Sequence, residues 1–179
     1  MGASGTTAIE FKAGIDFTPT VPAAAYDANA LATLFNSPVL GSGTGSTTGD
    51  NDGTITLTQS NSRQFSFTHL IETDDFAFVT VTFPTLTYQS VTNGLTLAAN
   101  IASGKQLKVE VKDKNGKITD FLLTGTGALQ NYILSFNADT MPPGFNTGRV
   151  SQIVFVADFA HMGASGTTAI EFKAGIDFT

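Results

Sequence analysis

The chain has 179 residues, no cysteine or tryptophan, and 15 acidic against 9 basic residues, for a formal charge of −6. The missing cysteines exclude disulfides, thiolate metal sites and thiol nucleophiles, and the acidic balance argues against a nucleic-acid partner, which needs a basic field. No apolar run is long enough for a membrane span and no basic-then-apolar leader opens the chain; few charges with abundant Gly, Ser and Thr suit an extracellular or cell-surface β-protein whose leader has been removed.

Residues 7–18, TAIEFKAGIDFT, alternate strictly, with Ile9, Phe11, Ala13, Ile15 and Phe17 on one face and Glu10, Lys12, Gly14 and Asp16 on the other. This is the pattern of a strand with one buried face. Residues 19–52 form a Pro-, Gly- and Ser-rich connection: a short helix capped by Asp27 is predicted near its middle, and GSGTGSTTGDNDG at its end reads as a flexible loop.

From Gly53 to about residue 160 the sequence reads as a succession of strands. TITLTQ turns Ile55 and Leu57 inward, and RQFSFTHLI does the same with Phe65 and Phe67; FAFVTVTF, LTYQSV and GLTLAANI follow. Residues 106–123 form a hairpin with Leu107, Val109 and Val111 inward and Asn115-Gly116 at a predicted type I′ turn. LQNYILSF and RVSQIVFVADF complete the series. The whole predicts a single all-β, antiparallel, jelly-roll-like β-sandwich of about 9–11 strands with at most one short helix.

The order GLTLAANIASGKQLKVEVKDKNGKITDFLL, ALQNYILSF, MPPGFNTGRVSQIVFVADF resembles jelly-roll carbohydrate-binding modules of secreted glycoside hydrolases, over residues 94–159. That resemblance implies a non-catalytic, polysaccharide-binding domain, and it makes Asp158 a further candidate for the structural Ca²⁺ that such modules often hold.

MGASGTTAIEFKAGIDFT occupies residues 1–18 and again 162–179. His161-Met162 is the dipeptide encoded by an NdeI cloning site, so the repeat reads as a joined second copy; a natural tandem array with a 161-residue period is the alternative. The second inward row is Ile170, Phe172, Ala174, Ile176 and Phe178. Both segments resemble the donor strands of chaperone-usher pilins, which implies a structural subunit that assembles with copies of itself into a filament, tube or matrix by strand complementation.

Catalytic candidates are few. Of two histidines, His69 reads as a packed residue and His161 as part of the junction, while Asp74 and Asp75 are adjacent on a strand and face opposite ways. The chain therefore reads as a non-enzyme. Asp50 and Asp52, in a stretch that resembles part of an EF-hand loop without its leading Asp and distal Glu, are the candidate Ca²⁺ ligands; otherwise no cofactor is expected. Among Tyr26, Tyr88 and Tyr132, the last two are the candidate sugar-stacking residues. Lys105, Lys108, Lys112, Lys114 and Lys117 read as lysines guarding a sheet edge.

Overall fold

A computed structural model describes residues 37–84, 88–92, 94–173 and 176. The N-terminal inward row (Ile9, Phe11, Ala13, Ile15, Phe17), Tyr26, the expected helix after Asp27, and Ala174 and Phe178 lie outside them. The strands are β1 Val39–Ser46, β2 Thr54–Asn61, β3 Gln64–Leu70, β4 Asp75–Thr82, β5 Leu95–Asn100, β6 Gln106–Asp113, β7 Ile118–Thr124, β8 Leu129–Leu134, β9 Val150–Asp158 and β10 Ser165–Phe172, with α1 (Phe159–Met162) between the last two. They form two five-stranded antiparallel sheets, β1-β4-β9-β6-β7 and β2-β3-β10-β5-β8. The all-β sandwich is as expected; among the described residues the one short helix is α1, between β9 and β10.

The core lies between the sheets, built by the period-two alternation of each strand. Phe65 and Phe67, Leu107, Val109 and Val111 are all buried, and Ile55 and Leu57 pack against the same cluster. Phe155 of the first sheet meets Phe65 and Phe172 of the second, with centroids 5.5 and 6.0 Å away and both contacts edge-to-face, the geometry that the ring quadrupoles favour. Truncating a buried Phe at such a junction costs roughly 3–5 kcal/mol.

Three expectations are corrected. Residues 41–46, expected to open the flexible loop GSGTGSTTGDNDG, instead belong to strand β1, paired along its length with β4. Asn115-Gly116 does form a turn, but of the positive-φ pair only Gly116 (φ 80°) is observed. Gly116 N–H donates to Asp113 O at 3.0 Å, and the Asp113 carboxylate accepts from the N–H groups of Asn115 and Lys117. A type I turn followed by a left-handed glycine describes this better than type I′. Finally, β6 lies inside its sheet, between β9 and β7, so Lys108 and Lys112 guard no edge.

Candidate functional site

The outer face of the first sheet carries a groove of about 620 Å³ across β4, β9 and β6. Its side chains form cross-strand rows fixed by register: Phe78 opposite Val156 and then Lys108, Thr80 opposite Val154 and then Glu110, Phe76 opposite Asp158. Residues two apart on a strand share a face, which puts Phe76, Phe78 and Thr80 on this one while Ala77, Val79 and Val81 enter the core.

Two half-buried aromatic rings therefore sit outside the core, their centroids 6.2 Å apart and planes inclined by 34°. Their position follows from β1, whose sequence GSGTGS places Gly41, Gly43 and Gly45 opposite Thr80, Phe78 and Phe76. A Cβ on Gly43 would stand 2.8 Å from Phe78 Cζ, and one on Gly45 only 2.4 Å from Phe76 Cζ. The rings thus lie across β1 in the space that missing side chains leave.

The groove's charged groups are paired. Lys108 Nζ stands 2.8 Å from Glu110 Oε1 and 3.6 Å from Asp120 Oδ2, and the bond to Glu110 is the main cause that raises the lysine's pKa. Asp158 accepts from His161 N–H at 3.0 Å and lies 2.8 Å from its Nδ1, capping α1. Gln152 Nε2 donates to Thr82 Oγ1 at 3.1 Å.

The sequence-derived candidates fall elsewhere. Tyr132, on β8 of the opposite sheet, packs its ring against the core and donates its hydroxyl to Thr124 O at 2.6 Å. Tyr88 carries the Arg149 guanidinium 4.8 Å from its ring centroid, which covers one face. Asp50 and Asp52 line a separate cavity of about 280 Å³ with Thr48, Glu72, Thr73, Asp74 and Asp75. Asp75 is 4% exposed and its Oδ2 has no hydrogen-bond partner. Among the described residues, no three His, Asp or Glu side chains converge closely enough to hold a metal ion as they stand. His69 is buried, as expected of a packed residue.

The C-terminal repeat supplies strand β10, hydrogen-bonded to β3 on one side and β5 on the other. Ile170, Phe172 and Ile176 are buried, while Lys173 is exposed. Gly166 faces His69, whose Cε1 leaves 3.1 Å for a Cβ there, and the hydroxyls of Thr167 and Thr68 meet at 3.0 Å.

No protein-family description and no curated protein matches the chain. Solved structures share its fold. The family 11 carbohydrate-binding module of the cellulosomal cellulase Lic26A-Cel5E of Clostridium thermocellum aligns with a TM-score of 0.51 and 14% identity, over 74% of this chain and 84% of that one. A family 11 module from Clostridium thermocellum in complex with a β-1,3-1,4-mixed-linked tetrasaccharide gives 0.52 and 13%, over 76% and 92%. An exo-β-agarase aligns at 0.45 and 9%, over 66% of this chain and 23% of its own.

Proposed function

We propose that this chain is a non-catalytic carbohydrate-binding module of an extracellular protein, and that it holds a polysaccharide along the groove of β4, β9 and β6. The observation that carries the reading is the pair Phe76 and Phe78, laid over the glycines of β1 and partly exposed to solvent. Adjacent aromatic faces offer stacking surfaces to the apolar faces of successive sugar rings, and Lys108, Glu110, Gln152 and Asp158 place polar groups beside them. The fold shared with modules that include one bound to a mixed-linked tetrasaccharide supports it. A binding rather than hydrolytic role is supported by the groove's two carboxylates, each committed to a cation or helix cap, where glycoside hydrolysis needs a carboxyl held protonated. Affinity electrophoresis in gels cast with mixed-linked β-glucan, xyloglucan and other soluble glycans tests this. Retardation lost in Phe76→Ala/Phe78→Ala supports the reading; free migration in every glycan overturns it.

A second reading is favoured by the position of β10: a structural subunit that assembles with copies of itself by donating a strand identical to the one completing its own sheet. Size-exclusion chromatography of chains with and without residues 162–179 tests it. A concentration-dependent rise in assembly state on removal supports it, and a monomer at all concentrations sinks it.

Calcium is a proposal for the acidic cavity alone, favoured by the buried, unpartnered Oδ2 of Asp75 beside Asp50 and Asp52. Calorimetric titration with CaCl₂ yields heat of binding if the site takes the ion and none if it does not.

A further inference from the structure

The sequence of the strand in the middle of the second sheet occurs twice in this chain. Every side chain by which β10 and its extension grip the slot between β3 and β5 has an identical counterpart 161 positions earlier: Gly5 for Gly166, Thr6 for Thr167, Ile9 for Ile170, Phe11 for Phe172, Ile15 for Ile176. The slot meets those groups at defined points. A Cβ at Gly166 would stand 3.1 Å from His69 Cε1, Thr167 meets the Thr68 hydroxyl at 3.0 Å, and the apolar row includes Phe172, in edge-to-face contact with Phe155, and the buried Ile176.

We propose that the slot between β3 and β5 accepts residues 1–18 of the same chain in place of β10, so that two interchangeable strands compete to complete one sheet and the displaced copy becomes a free strand. This goes beyond sugar binding and concerns the opposite sheet from the groove, so either of those two can fail without the other; it is the rival of strand exchange between molecules, and the test below separates the two. The contacts of the two occupants are the same in kind, and the balance between them is set by their connections. β10 is joined to β9 by six residues, 159–164, which keeps it close to its slot. Residues 19–38 join the first copy to β1; fully extended, twenty residues reach roughly 65 Å, more than the roughly 40 Å width of a domain this size. A tether of this length gives a millimolar effective concentration, so the chain's own first copy outcompetes that of a neighbour at micromolar protein.

The absence of native cysteine permits a direct test in the full chain. Thr68 pairs with Thr167 in the β3–β10 register, so Thr6→Cys with Thr68→Cys forms a disulfide only when the first copy enters the slot. The pair is placed in a Phe172→Asp background, which puts an unpaired charge where β10 must be buried. The expected results are an intrachain disulfide, seen as a monomer on a non-reducing gel, and a cooperative unfolding transition. Phe11→Asp/Phe172→Asp, which disables both copies, is expected to lose that transition. The proposal is overturned if Phe172→Asp alone loses the transition, if the thiols stay free in a folded chain, or if cross-links form only between molecules.

Discussion

The ring of Phe78 on β4 occupies the space over Gly43 of β1, where a Cβ would stand 2.8 Å from Cζ, and Phe76 stands closer still over Gly45. The encroaching atom is the far end of a side chain, so a new methyl displaces the ring without disturbing the backbone. Gly45→Ala is expected to change stability by less than about 1 kcal/mol, yet to weaken retention by glycan gels because Phe76 leaves its place. Thermal unfolding and affinity electrophoresis of the same variant check both halves.

Asp113 joins the β6–β7 turn to a distant loop, since its second oxygen accepts from Asn146 N–H at 2.9 Å. Burial works against the charged carboxylate, but the N–H groups of Asn146, Lys117 and Asn115 outweigh it and hold the pKa below its ordinary value. A depressed folded-state pKa stabilises above the unfolded value, about 3.9, and that stability is lost as pH falls through the lower folded value. Asp113→Asn should lose about 1–3 kcal/mol near neutral pH and show a flatter loss of stability below pH ~4. Denaturant titrations at several pH values read both.

Much of the sandwich was legible because its strands alternate cleanly: Phe65 and Phe67, or Leu107, Val109 and Val111, show one apolar face. β1 was hidden by its glycines, which lower strand propensity; the usable signal was their spacing of two at Gly41, Gly43 and Gly45. The groove was hidden for a different reason. In FAFVTVTF, Phe76 and Phe78 alternate with Ala77 and Val79, so both faces are apolar and periodicity does not say which enters the core. Tyrosine is a sugar-stacking residue type, whereas the aromatic pair on the open face is phenylalanine. The dipeptide Asn115-Gly116 marks the turn, but its type is set by the carboxylate of Asp113, which organises it.

His69 is 1% exposed, and neither ring nitrogen has a well-formed hydrogen bond. Burial lowers its pKa; the backbone of Gly163 pulls weakly the other way. With the folded value below the unfolded one of about 6.5, the unfolded chain binds more protons between the two, so stability is complete above pH ~6.5 and falls as pH drops below it. The melting temperature should therefore decline from pH 7 to pH 5, and His69→Leu should flatten that decline. An equal slope in both proteins would show that other groups set it.

Asp75 buries a carboxylate oxygen without a partner, in a cavity also lined by Asp50, Asp52, Glu72 and Asp74. An amide of the same shape removes the charge from that partnerless buried oxygen. In chelator-containing buffer, Asp75→Asn is expected to raise stability by about 1–3 kcal/mol, measured by chemical denaturation. A loss of stability would mean that the carboxylate has a favourable partner.

The central claim is that Phe76 and Phe78 form the surface on which a polysaccharide lies. Isothermal titration calorimetry with the soluble glycan that most retards the protein tests it directly, comparing the native chain with Phe76→Ala/Phe78→Ala and with Tyr132→Phe. The expected result is affinity at least tenfold weaker in the first variant, whose cooperative unfolding is retained, and unchanged affinity in the second. Full affinity in a folded Phe76→Ala/Phe78→Ala protein would contradict it.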